Sequence, residues 1–305
     1  MARTTAGPAV GLVGLGNLGQ AIGLHLLAAR RRVCVLDRSP ERTAVLTEAG
    51  AREASPGELA ECGVVAFAVP DERAIQEVLG GGLLEGLGPG RTVVVHSTVL
   101  PERTRELAAL VTARGACYVD APVTGGAERA RRGKLAAFVG AEAPALAAVR
   151  PYLDTVAAEV HHLGPVGAGA AVKLANQLVM FAALGGVLDG IRLGAAYGVG
   201  EEALLGALST GTADTWVGRN WGFFDRVACD YDAAGVPADD RPWRKDLREI
   251  VAAAGAAGTP AQLATLLADT VATPLEAHAA QGAEAAEPVG AAESEGAEQG
   301  EAGGR

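Results

Sequence analysis

Six short apolar runs recur through the first half of the chain, at 9–15, 32–37, 63–70, 91–98, 117–122 and 135–141. Helical patterns at 17–30, 40–49, 72–79 and 101–114 separate the first five. The runs are apolar throughout and do not alternate with polar residues. That pattern suits strands buried on both faces, which occur in parallel sheets covered by helices. Strand–helix alternation of this kind leaves few architectures open. The expectation is an α/β Rossmann domain with its sheet sandwiched between helices.

The strand signal stops near residue 165. From 167 to 198 the chain reads as one apolar helix, about 45 Å long if unbroken. Its length would cross a bilayer, but Lys173, Asn176, Gln177, Asp189 and Arg192 interrupt it. Charges inside a membrane are costly, so a buried central helix is expected, and no membrane partner. Further helical segments run to about 277. The reading is therefore a Rossmann domain over 1–165 and an all-α C-terminal domain over 166–277, joined by the long central helix. Residues 278–305 carry six Glu and one Arg with almost nothing apolar to bury, so a disordered acidic tail is expected there.

The formal charge of −10 offers no basic footprint for nucleic acid. Cys34, Cys62, Cys117 and Cys229 are scattered, as in a reduced cytoplasmic protein with free thiols. The first residues show no export signal, in line with that compartment. His161 and His162 form the one His pair. They lack carboxylate or Cys partners nearby in sequence and are read as structural, so no metal is expected.

Residues 11–20 read GLVGLGNLGQ, with Gly14, Gly16 and Gly19 in G-x-G-x-x-G spacing. The glycines follow an apolar run and open a helix, the context that a dinucleotide fingerprint requires. Gly14 permits the tight turn, Gly16 lets a pyrophosphate approach the backbone, and Gly19 lets helix and strand pack closely. Asn17 and Leu18 begin the helix, whose free N–H groups favour phosphate. Asp37 stands 18 residues beyond Gly19, where an acid can bind the adenosine ribose. Asp37 favours NAD, whereas Arg38 could pair with the 2′-phosphate of NADP. The cofactor is thus expected to be NAD or NADP, with the lean to NAD.

Four further stretches are hard to explain by packing: HSTVLP (96–101), DAPVTGGAERARRGKL (120–135), GPVGAGAAVKLANQ (164–177) and RKDL (244–247). With the glycine loop, in this order and spacing, they resemble the β-hydroxyacid dehydrogenase family over about residues 8–277. That family includes 3-hydroxyisobutyrate dehydrogenase and tartronate semialdehyde reductase. The resemblance implies reversible hydride transfer between a nicotinamide and a small β-hydroxyacid or semialdehyde acid. It also implies a homodimer or homotetramer built through the helical domains.

Chemistry and resemblance agree on the site residues. Thr124, Gly125 and Gly126 supply a hydroxyl beside two glycine N–H groups, a nest for the substrate carboxylate. Lys173 lies in an apolar helix, where burial would lower its pKa and fit it for proton transfer. The alternative is a lysine that snorkels to water. Asn176 and Gln177 fall near the same helix face and are candidates for the substrate hydroxyl, Asn176 preferred. Val69, Pro70 and Thr98 close strands at the edge where ligands bind in open sheets. Thr98 could equally cap the next helix. Lys245 and Asp246 match the family's late Lys-Asp pair near the nicotinamide, though by themselves they read as a solvated helix face.

Six of the twelve aromatics crowd into residues 216–243. They read as a domain core, an oligomer contact or the rim of a substrate mouth. Two other functions fit the loop: an imine or carbinolamine reductase, and a non-catalytic dinucleotide-binding sensor. Lys173 argues against both.

Overall fold

The computed structural model describes residues 8–286, with side chains described to 281. It divides into two compact units. The first takes in residues up to Met180 together with Arg244–Leu266, and the second takes in Phe181–Trp243 and the residues from Leu267 on.

In the first unit the strands are β1 (Val10–Val13), β2 (Val33–Leu36), β3 (Arg52–Glu53), β4 (Val64–Phe67), β5 (Thr92–Val95), β6 (Cys117–Asp120), β7 (Val123–Thr124), β8 (Leu135–Gly140) and β9 (Ala157–Gly164). All six expected strands are present. The short β3 and β7 and the polar β9, which carries His161 and His162, have no apolar run to announce them. Helices α1 (Asn17–Ala28), α2 (Pro40–Glu48), α3 (Pro56–Leu59), α4 (Glu72–Val78), α5 (Leu84–Gly86), α6 (Pro101–Thr112), α7 (Gly126–Arg131) and α8 (Ala143–Val156) connect them.

The sheet order is β3-β2-β1-β4-β5-β6-β8-β7, with β9 paired to β8. From β3 to β6 all pairs are parallel, as the apolar runs require. The expectation of a wholly parallel sheet is corrected beyond that point, because β8 runs antiparallel to both β6 and β7. The chain returns there through short α7 and not through a full crossover helix. Strand order reverses direction between β1 and β4, the switch point at which open sheets bind ligands.

Successive residues of the central strands feed two separate cores. Leu12, Val94 and Val119 pack with Ile22 and Leu26 of α1 and Val149 and Leu153 of α8. Val13, Phe67 and Val95 pack on the opposite face with Leu59, Ile75, Leu107 and Val111.

The long helix α9 spans Ala168–Ala196. It is long and apolar enough to cross a membrane by length and composition. Within the first unit it is anchored by buried polar contacts, described below. The expected buried central helix is buried along part of its surface only, with Val179 and Leu193 at 70% and 64% exposure.

The remaining helices are α10 (Glu201–Leu208), α11 (Trp216–Arg219), α12 (Phe223–Ala233), α13 (Pro242–Ala257), α14 (Gln262–Thr270) and α15 (Ala272–Ala286). Within the second unit the aromatic cluster is core only in part, with Trp216 exposed and Trp221, Phe223 and Tyr231 half-buried. Phe224 and Trp243 are buried, and Phe224 contacts both Phe181 and Phe223. Residues 278–286 correct the expected tail boundary, since α15 continues through them. Ala279 is buried, and His278 is held between Asp225 Oδ1 at 2.9 Å and Glu201 Oε2 at 3.1 Å. Residues 287–305 of the expected tail lie outside the described residues.

The units do not divide at 165/166. The first includes α9 as far as Met180, and α13 returns Lys245 and Asp246 to it.

Candidate active site

The glycine loop lies at the carboxyl end of β1, and each glycine has a separate steric reason to be there. Gly14 has φ +86°, and a Cβ on it would lie 2.5 Å from the Ala68 carbonyl oxygen. A Cβ at Gly19 would stand 1.9 Å from the Gly14 oxygen. At Gly16 nothing lies within 4 Å of that position. The backbone is therefore open where a phosphate must approach and packed where helix meets strand. Gly16 also precedes α1, which begins without a side-chain cap and without an acid in its first turn. Its first N–H groups, those of Asn17 and Leu18 included, are suited to hold a pyrophosphate.

Asp37 closes β2 beside this loop. One carboxylate oxygen accepts the Leu15 N–H at 2.5 Å and the other the Ser39 N–H at 2.8 Å. Asp37 thus orders the loop. Arg38 is largely exposed and pairs with Glu77. Val69 follows β4, and its N–H donates to the buried Ser97 hydroxyl at 3.0 Å. That bond ties the ends of β4 and β5 together next to Gly14. Pro70 is exposed at the same rim. Thr98 does not cap α6: the cap position is Leu100, and no side chain caps it. Its carbonyl instead accepts from Lys245 Nζ at 3.4 Å.

The second half of the site is built by the segment 120–126 and the start of α9. Gly125 and Gly126 have φ of +122° and +70°, so two consecutive residues adopt conformations that favour glycine. Thr124, half-buried at the end of β7, leads into them. Asp120, buried at the end of β6, accepts the Gly167 N–H on Oδ1 and the Ala170 N–H on Oδ2, both at 2.9 Å. It satisfies N–H groups that the first turn of α9 cannot satisfy itself. Space for it comes from glycine, since a Cβ at Gly140 or Gly169 would lie 2.5 Å or 2.9 Å from its oxygens.

One turn further along α9 is Lys173, 8% exposed, which rules out the snorkelling alternative. Its Nζ donates to the Val123 carbonyl and to Gln177 Oε1, both at 3.0 Å. An ammonium has three N–H groups, so these contacts leave one for another acceptor. Burial lowers the pKa of Lys173; Asp246 opposes that shift and Lys245 adds to it.

The network continues from α9 to α13. Gln177 Nε2 donates to Asp246 Oδ2 at 2.6 Å, and Asn176 Nδ2 donates to Gln177 Oε1 at 3.1 Å. Gln177 is the buried link to Lys173, with both ends of its amide engaged, and Asn176 is half-buried beside it. Lys245 Nζ lies 3.6 Å from Asp246 and 2.8 Å from Glu249.

Sequence reading passed over Asp120 and Glu249. Asp120 carried a signal, because an acid that ends a buried strand needs partners. Glu249 carried a weaker one, its i,i+4 spacing from Lys245. His162 Nε2 contacts the Ala141 carbonyl oxygen at 2.9 Å and His161 packs on Phe138, as structural residues would.

Comparison with known proteins agrees with this arrangement. The NAD binding domain of 6-phosphogluconate dehydrogenase matches residues 9–164, just over half of the chain. A 3-hydroxyisobutyrate dehydrogenase of Pseudomonas aeruginosa is 31% identical over 213 residues, covering 68% of this chain and 71% of that one. An L-threonate dehydrogenase of Cupriavidus necator is 32% identical over 216 residues, 69% of this chain and 73% of the other. Among solved structures, a 3-hydroxyisobutyrate dehydrogenase from Salmonella typhimurium has a TM-score of 0.71 at 25% identity, covering 91% of this chain and 95% of that one. An imine reductase from Pseudomonas sp. shares the fold, with a TM-score of 0.64 at 24% identity over 86% of this chain and 91% of its own. The chain belongs to the 3-hydroxyisobutyrate dehydrogenase-like β-hydroxyacid dehydrogenase family and is an NAD(P)-binding oxidoreductase of it.

Proposed function

We propose that the protein interconverts a small β-hydroxyacid and the corresponding carbonyl acid, with Lys173 as the proton-transfer residue. The observation that carries this reading is the placement of the Lys173 ammonium. It is buried and hydrogen-bonded to Val123, the residue immediately before the Thr124-Gly125-Gly126 nest. A substrate carboxylate held by Thr124 Oγ1 and the glycine N–H groups would bring its hydroxyl or carbonyl oxygen toward that lysine. Gln177 holds an amide directly on Lys173, and Asn176 bonds to Gln177.

Gly14, Gly16, Asn17, Leu18, Gly19, Asp37, Arg38, Val69, Pro70, Thr98, Lys245 and Asp246 would hold the cofactor. The chemistry that a bound nicotinamide supplies is hydride exchange at the carbon bearing the substrate hydroxyl. In the oxidative direction Lys173 accepts the hydroxyl proton and must start neutral. In the reductive direction it starts as the ammonium and returns that proton to the nascent alkoxide. A pKa lowered by burial serves both directions, because proton affinity is then nearer to neutrality. Asp37 favours NAD over NADP, since a 2′-phosphate would meet a carboxylate, and Arg38 is engaged by Glu77. Against the reductase and sensor readings, Lys173 has an N–H left over for a substrate beside the Thr124-Gly125-Gly126 nest.

The exposed Val179 and Leu193 of α9 support a homo-oligomer, and four free thiols support a reducing compartment such as the cytoplasm.

The test is reduced-cofactor oxidation with NADH and NADPH over a panel of small aldehyde and keto acids, for the protein and its Lys173→Ala variant. Turnover is expected to fall by about 10²- to 10⁴-fold in the variant. Cofactor affinity, read by fluorescence titration, should be retained. Equal turnover in the two proteins would remove Lys173 from the chemistry.

A further inference from the structure

Glu249 lies one turn beyond Lys245 on α13, outside every motif that defines the site. Its Oε1 accepts from Lys245 Nζ at 2.8 Å, with the two side chains only 21% and 17% exposed. Its Oε2 is buried and makes no hydrogen bond among the described residues. A half-satisfied buried carboxylate is costly, so the position of its charge calls for a reason.

Its neighbours show what it is connected to. Lys245 also approaches Asp246 at 3.6 Å and reaches the Thr98 carbonyl at the end of β5. Asp246 accepts from Gln177, and Gln177 accepts from Lys173. Glu249 is thus the far end of a continuous polar chain that starts at Lys173. The chain contains two potential cations, Lys173 and Lys245, and two potential anions, Asp246 and Glu249.

We propose that Glu249 is a positioning and charge-setting residue of this dehydrogenase site. It holds Lys245 Nζ against the end of β5 and offsets the second cation of the chain that ends at Lys173. The inference rests on the reading of Lys173 as the proton-transfer residue.

The electrostatics give it a direction. Burial pushes the Glu249 carboxyl up to about 7; Lys245 opposes this, while Asp246 and Glu72 of α4 add to it. Glu72 in turn pairs with Arg103 of α6 at 3.5 Å. Burial pulls Lys245 down, but Asp246 and Glu249 outweigh burial and hold it above its ordinary value. The Lys245 charge acts to lower Lys173. An ionised Glu249 cancels part of that field, and a protonated one does not. Lys173 therefore holds its proton less tightly when Glu249 is neutral, and the two ionisations are linked through Lys245.

Glu249→Gln removes the charge at nearly constant shape. Two readouts follow it: the pH profile of kcat in the reductive direction, and competitive acetylation of Lys173 and Lys245 in the cofactor-free protein, quantified by mass spectrometry across pH. Both should report the Lys173 titration lower by about one pH unit in E249Q. Unchanged titrations in a folded E249Q protein would overturn the proposal. Glu249→Asp keeps the charge but withdraws it from Lys245. It should leave Lys173 near its original titration while making Lys245 more reactive. A Lys173 shift in E249D as large as in E249Q would assign the effect to packing and also overturn it. If Lys173→Ala retains turnover, the parent reading fails, and the acetylation readout still decides the role of Glu249.

Discussion

Gly16 and Gly19 stand three residues apart, at the cap and in the first turn of α1, and have opposite steric surroundings. A Cβ at Gly19 collides with the Gly14 carbonyl oxygen at 1.9 Å, whereas a Cβ at Gly16 meets nothing. Gly19→Ala is therefore expected to force the first turn of α1 off β1 and to lower the melting temperature. Gly16→Ala should leave the melting temperature nearly unchanged and cost about tenfold or more in cofactor affinity, because the added methyl occupies the approach to the helix N-terminus. Thermal melts and cofactor titrations on both variants separate the two effects, and equal melting temperatures would contradict this account. The division of labour was legible from spacing. Asp37 was only half legible: its two hydrogen bonds to Leu15 and Ser39 show that it also builds the loop.

At the scale of an element, α9 shows what periodicity can and cannot reveal. Its existence and extent were plain from composition. Its anchorage was not, because Asp120 lies some fifty residues earlier and meets Gly167 and Ala170 only through the fold. The same segment holds α9 a second time where Val123 accepts from Lys173. Asp120→Ala should strip the start of α9 of its acceptors and leave buried N–H groups unpaired. The cost is expected to be about 3 kcal/mol, with Asp120→Asn intermediate because it keeps one acceptor oxygen. Urea unfolding of both variants measures this, and a cost below about 0.5 kcal/mol for the alanine would refute the anchoring role. The misjudged end of α15 has a similar origin. His278 joins the helix to Asp225 and Glu201, contacts invisible in an Ala- and Glu-rich stretch.

For the whole molecule, the buried His96 connects core packing to pH. Its ring nitrogens meet the Ala121 carbonyl oxygen and the Tyr152 hydroxyl, each at 2.7 Å. Burial lowers its pKa from 6.5 to about 4. The unfolded chain binds a proton at His96 through that window and the folded protein does not. His96 therefore contributes stability that is full above pH 6.5 and lost as pH falls toward 4, about 3 kcal/mol in all. Glu249, raised to about 7, acts in the opposite sense between pH 7 and its ordinary value of 4.5, since the folded protein then binds the extra proton. The informative quantity is the difference between the protein and a His96→Gln variant. Their unfolding free energies by urea denaturation should converge as pH falls from 6.5 to 4.5, and parallel curves would exclude the effect.

By itself the sequence determined the layered fold, the glycine loop and the family, because apolar runs, turn glycines and short motifs act over a few residues each. It also marked Lys173, since an amine in an apolar helix must be either paired or functional. Only the tertiary structure decided which amide serves Lys173, what anchors α9 and how Glu249 joins the site. Those facts depend on hydrogen bonds and desolvation between elements remote in the chain, and local pattern carries no record of either.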